Sequence, residues 1–155
     1  MTARIVIISG ACGTGKSSVS RLLAETSAYE HAVHIHTDES AAACAQRFSE
    51  GGYEVYVDGV IGPWYLGPWI NIAEKGTDVR YIVLRPEEQV TIDRAAAREQ
   101  RAEFPLSSEC IEEIWQSFSD LGEYEANAVD TTHHTVDESV LYIQRRLKEG
   151  AFRLR

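Results

Sequence analysis

Residues 10–17 read Gly-Ala-Cys-Gly-Thr-Gly-Lys-Ser, a spacing of glycine, four residues and Gly-Lys-Ser that wraps a chain round phosphate. Gly10, Gly13 and Gly15 carry no Cβ, so the backbone through Ala11, Cys12 and Thr14 can close on an anion. The loop N–H groups and the positive end of a helix opening at Ser17-Ser18 point at the same place. Lys16 supplies a point charge for the β- and γ-phosphates, and Ser17 a hydroxyl for Mg2+. The loop follows the apolar run Ile5-Val6-Ile7-Ile8 and precedes a helical pattern. Strand, glycine loop and helix in that order are the setting this chemistry needs.

Two aspartates stand at the ends of apolar runs. Asp38 closes His36-Thr37-Asp38, where a carboxylate beside the γ-phosphate could take the proton of an attacking hydroxyl. It could equally cap the alanine-rich helix that follows. Asp58 follows Tyr53-Glu-Val-Tyr-Val57 and is placed to support Mg2+, or to open an Asp-Gly turn. Arg94 and Arg98 are one helical turn apart and Arg101 lies just beyond. Arginines so spaced can close over a transferring phosphate, or form a solvated basic face with Glu99 and Glu103 as partners. His34 and His36 fall on one side of a strand, but no third ligand lies nearby in sequence, so a metal role is not expected. Trp64, Tyr65 and Trp69 suit a pocket wall and a core edge equally. Cys12, Cys44 and Cys110 fit no zinc spacing, and Cys12 reads as a small loop-filling residue rather than a redox group.

Strands are expected at 4–9, 33–37, 53–57, 79–84 and 126–129. Helices are expected at about 16–27, 41–49, 87–100, 108–121 and 136–148, the last opened by a Thr135-to-Glu138 capping box. Residues 59–69 read as a loop or short helix, and Ile70 to Lys75 as a turn of helix. Alternating strands and helices imply a five-stranded parallel sheet with helices on both faces, an α/β/α three-layer fold. In such a sheet ligands gather at the carboxyl ends of the strands, where the loop, Asp38, Asp58 and Asp130-Thr131-Thr132 all fall.

The loop, the two aspartates and the arginine helix together resemble the P-loop small-molecule kinases, a group that includes shikimate kinase, gluconate kinase and chloramphenicol phosphotransferase. The likeness is greatest to the last. It is carried by residues 10–18, by Arg94-Ala-Ala-Ala-Arg98-Glu-Gln-Arg101, and by Glu125 through Val129-Asp130-Thr131-Thr132-His133. The resemblance implies ATP binding by Gly10 to Ser18, a base at Asp38, an arginine lid over 94–108, and nucleotide-base contacts near Thr131, Thr132 and His133. The chain departs from the group between its second and third strands. About fifteen residues, 39–53, stand where the group usually has a longer segment folded over the acceptor.

With 155 residues and an apolar fraction of 44%, one globular domain over 1–155 is expected. A net charge of −9 opposes long nucleic acids and anionic membranes as partners. Ile5 to Ile8 is too short for a signal peptide or a membrane span, so a cytoplasmic monomer or homodimer is expected. The function expected is ATP- and Mg2+-dependent phosphate transfer to a hydroxyl of a small molecule, antibiotic- or sugar-like. The alternatives are a nucleotide or polynucleotide 5′-kinase, and a nucleotide-gated binding module without transfer. No Asn-Lys-x-Asp sequence points to a GTPase, and the chain is too short for the second helical domain of AAA-type machines.

Overall fold

The computed structural model describes residues 3–36, 41–99 and 106–154. Five parallel strands form one sheet: β1 (Arg4–Ser9), β2 (Ala32–His36), β3 (Glu54–Gly59), β4 (Asp78–Leu84) and β5 (Ala128–Val129), in the order β2-β3-β1-β4-β5. Six α-helices connect and follow them: α1 (Lys16–Glu25), α2 (Ala41–Glu50), α3 (Gly67–Glu74), α4 (Glu88–Glu99), α5 (Ser108–Ser117) and α6 (Val136–Lys148).

The apolar runs are continuous because both faces of the sheet are covered. Ile5 and Ile7 of β1 join Val55, Val57, Tyr81 and Val83 on one face, under α2, α3 and α5. Val6 and Ile8 join Tyr56, Ile82 and Leu84 on the other, under Val19 and Leu23 of α1 and Val140, Ile143 and Leu147 of α6. The two cores give three layers. After β1 the chain runs out to the edge strand β2, returns inward to β3 beside β1, and then crosses to β4 and β5 on the other side. The carboxyl end of β1 is therefore the point where the order reverses, and the glycine loop stands there.

Some elements differ from the sequence expectation. Helix α3 begins at Gly67, earlier than a Gly-Pro pair suggests, because Pro68 lies in the first turn, where no N–H is needed. Residues Gly122–Asn127 form a 3-10 turn, which shortens β5 to two residues. The Thr135–Glu138 capping box is present, with both reciprocal hydrogen bonds. Between β2 and β3 the described residues hold α2 alone, which covers the core through Ala41 and Ala45. No helix among the described residues is long and apolar enough to cross a membrane.

Ile7 lies at the centre of the sheet with no exposed surface. Ile7→Ala should lower stability in a urea melt by about 2–5 kcal/mol. Leu141→Ala, at a residue 65% exposed, should stay within about 0.5 kcal/mol of wild type.

Candidate functional site

The glycine loop leaves β1 at Ser9, whose hydroxyl donates to Ile61 O at 2.7 Å and accepts from Ile61 N at 2.9 Å. The foot of the loop is thus tied to the segment that follows β3. Inside the loop, Thr14 Oγ1 donates to Ala11 O at 3.0 Å, and Lys16 Nζ donates to the same oxygen at 2.7 Å. Lys16 is buried, and burial pushes its ammonium below the ordinary lysine value. Cys12 and Asp58 offset part of that effect, and the nearby charge of Arg98 adds to it. A lysine so placed gains most from an anion that replaces its lost solvation.

Gly13 adopts φ +85°, and a Cβ there would meet Ala95 Cβ, Ala95 N and Thr91 O, each at 2.8 Å. The loop apex therefore packs directly on α4, against two small residues one turn apart. This contact sets α4, with Arg94 and Arg98, beside the loop and Lys16. The sequence carries a signal for it in Thr91 and Ala95, small residues at i and i+4 of the arginine helix.

Asp58 ends fully buried in β3 and is the hub of a polar cluster. Ser17 Oγ donates to its Oδ2 at 2.5 Å, His34 Nε2 bonds Oδ1 at 2.5 Å, and His36 Nδ1 bonds Oδ2 at 2.9 Å. Burial pushes the Asp58 carboxyl up, but the hydrogen bonds from Ser17, His34 and His36 outweigh it and hold the group below the usual aspartate value. Ser17 gives its proton to an anionic carboxylate and keeps its lone pairs available for a cation. The two histidines share one side of β2, as their spacing requires. Asp58 is brought beside them as a hydrogen-bond partner by the β2–β3 register, in which His36 pairs with Asp58. Among the described residues no set of three or more His, Cys, Asp or Glu side chains is arranged to hold a metal by itself. Mg2+ suits what is there, since it binds through one or two protein groups together with substrate phosphates.

Beside the loop lies a cleft of about 220 Å3, bounded by Thr14, Gly15, Arg94, Thr131, His134 and Ser139 among others. Thr131 Oγ1 and His134 Nδ1 are buried there with no hydrogen-bond partner among the described residues. Polar atoms left so are sites where a ligand's donors and acceptors fit. Of the residues expected at a nucleotide base, Thr131 lines this cleft. Thr132 instead secures the turn: its hydroxyl donates to Asp130 Oδ1 at 2.5 Å and accepts from Glu87 N at 2.9 Å, at the foot of α4. His133 is exposed, and His134 is the histidine that reaches the cleft.

Arg94 Nη2 donates to Thr131 O at 3.2 Å and Thr132 O at 3.3 Å, joining α4 to the cleft wall. Arg98 is exposed one turn on, toward Lys16. Asp38 and Arg101, and with Arg101 the whole of 100–105 in the expected lid, lie outside the described residues. The aromatic trio divides: Trp69 is core, whereas Trp64 is 55% and Tyr65 63% exposed.

Among solved structures the chain is similar to a gluconokinase from Sinorhizobium meliloti 1021, with a TM-score of 0.63 at 18% identity over 97% of this chain and 98% of that one. It is similar to the tunicamycin resistance protein of Deinococcus radiodurans, with a TM-score of 0.68 at 14% identity over 99% of each chain. A deoxyadenosine kinase from M. mycoides with bound dATP gives a TM-score of 0.57 at 15% identity, over 93% of this chain and 99% of that one. No protein-family model matches the chain, and no curated protein sequence matches it. The chain shares with these structures a three-layer α/β fold built on a five-stranded parallel sheet.

Gly13→Ala should weaken ATP binding at least tenfold by calorimetry, because a Cβ forces the loop off α4. Gly52→Ala is the control: it has the same positive φ, +87°, but open space around the Cβ. Its ATP affinity should be unchanged, though both variants lose about 1–3 kcal/mol of stability.

Proposed function

We propose that this protein transfers the γ-phosphoryl group of ATP to a hydroxyl of a small molecule. The observation that carries the proposal is the joining of three parts at one strand end: the loop with Lys16, the Ser17–Asp58 hydrogen bond, and the cleft with the unpaired Thr131 and His134 atoms. Similarity of fold to a gluconokinase and a deoxyadenosine kinase supports it.

In this scheme the loop amides and Lys16 hold the β- and γ-phosphates, and the purine occupies the cleft against Thr131 and His134. When bound, Mg2+ would neutralise phosphate charge from a position beside Ser17, with Asp58 behind it. The acceptor oxygen bonds to the γ-phosphorus as the β–γ bridging P–O bond breaks and ADP leaves. The hydroxyl proton passes to a base, for which Asp38 is the proposed residue. Arg94 holds the cleft wall to α4, and Arg98 and Arg101 stabilise the charge on the transferring group. The acidic surface, at −9, favours a small acceptor over a polynucleotide.

A coupled ADP-release assay over sugars, nucleosides, amino alcohols and antibiotics tests this. Wild type should turn over with at least one acceptor, and Lys16→Ala should be slower by about 10²–10³-fold. Asp58→Asn should raise the Mg2+ concentration needed for half-maximal rate while leaving the ATP requirement at saturating Mg2+ nearly unchanged. Tight ATP binding with no product from any acceptor would contradict transfer and identify a binding module.

A further inference from the structure

A second cleft lies between the 3-10 turn Pro63–Tyr65 and residues 120–124. Its volume is about 390 Å3, within the range of small-molecule sites. One wall is the Trp64 indole. The other is Leu121 and Tyr124, and the carboxylates of Asp120 and Glu123 stand at the rim.

These walls are held in place. The Trp64 ring lies across Gly62, where a Cβ would run into it, and packs on Phe118 with centroids 5.6 Å apart. Tyr124 meets Tyr81 edge-on at 5.7 Å. Arg85, just past the end of β4, bonds Phe118 O at 3.1 Å and Ser119 O at 3.2 Å, and grips Glu125 through two hydrogen bonds of 2.9 and 2.8 Å. Glu125 thereby takes the hydrogen bonds of Arg85, whose charge also attracts Asp120. Asp120 and Glu123 form no salt bridge among the described residues.

The cleft is also close to the chemistry. Ile61 is bonded to Ser9 at the foot of the phosphate loop, and Tyr81 Oη donates to Ile61 O at 2.7 Å. Trp64 is three residues further, so its Cα lies within about 11 Å of that of Ile61. Between β2 and β3 the described residues offer only α2 to hold an acceptor. A rigid indole face beside two exposed carboxylates, of which only Asp120 feels the charge of Arg85 among the described residues, complements an organic cation. A carboxylated acceptor would be repelled, and a neutral one would leave the negative charge at the rim unbalanced.

We propose that this cleft holds the phosphate acceptor, and that the acceptor is a small alcohol bearing a quaternary or protonated amine. The proposal rests on the phosphotransfer function above. The nitrogen stays unchanged as the hydroxyl takes the phosphoryl group from ATP and loses its proton to the base.

The test uses choline and 3,3-dimethylbutan-1-ol, which have the same shape but differ in charge. In calorimetry on the full chain without nucleotide, choline should bind at least tenfold more tightly than its neutral counterpart. The Asp120→Asn/Glu123→Gln double variant should shrink that difference to under threefold while keeping wild-type ATP affinity, which also shows that it is folded. Trp64→Ala should weaken choline binding tenfold. With ATP and Mg2+, phosphorus NMR should show phosphocholine. Equal affinity for the two probes, or no binding of either, overturns the cation site. Choline that binds but is not phosphorylated, by a protein that turns over another acceptor, overturns the assignment of the cleft to the acceptor. Absence of ATP binding would instead overturn the phosphotransfer function, and the nucleotide-free titration separates that failure from failure of the cleft.

Discussion

The site depends on the approach of one backbone to one helix. Gly13 meets Thr91 and Ala95 with no side chain between them, so the phosphate loop and α4 hold each other in place. The described cations of the proposed transfer step are set by that contact. Lys16 starts the helix that the loop leads into, Arg98 faces it from α4, and Arg94 carries α4 across to the cleft wall at Thr131 and Thr132. A larger residue at any of the three positions would move the cations relative to the phosphates. A displacement of about 1 Å is enough to cost a hundredfold in rate.

A second constraint acts from the sheet. Asp58 is buried, anionic and engaged by three side chains, and two of them come from β2. A buried charge is tolerated when each oxygen has donors, and here both do. The cluster ties the edge strand to the phosphate loop through Ser17. Ser9 at the foot of the loop and Tyr81 of β4 both hydrogen-bond Ile61, which ties the segment after β3 to the sheet beneath the loop. The loop therefore borders the cleft at Thr131 and His134, and hydrogen bonds through Ser9 and Ser17 fix its two ends to β3 and the segment that follows it.

What could be seen in the sequence is what local physics determines. The glycine spacing, the apolar strands and the Thr135–Glu138 capping box involve residues within a few positions of each other, and the structure has each of them. The contacts between distant segments were not visible. His34 and His36 lacked a third partner in sequence because Asp58 reaches them only through the β2–β3 register. His133 and His134 could not be told apart, since which of them faces the cleft is decided by the turn that Asp130 and Thr132 make. Trp64 and Trp69 read alike as aromatics. The α3 helix puts Trp69 in the core and leaves Trp64 on the 3-10 turn before it. The shortened stretch at 39–53 was plain in the sequence, but the cleft at Trp64 that could serve in its place was not, because its walls are about sixty residues apart in the chain.

The central claim is that the loop, Lys16 and the Ser17–Asp58 pair grip a triphosphate together with its metal. Electron paramagnetic resonance of Mn2+, used in place of Mg2+, reads this most directly. With the protein and the non-hydrolysable analogue AMP-PNP, the free Mn2+ signal should fall sharply, and it should fall far less with Asp58→Asn or with the protein and Mn2+ alone. An unchanged free Mn2+ signal in the wild-type ternary mixture, at concentrations where the analogue alone leaves most Mn2+ free, would contradict the account.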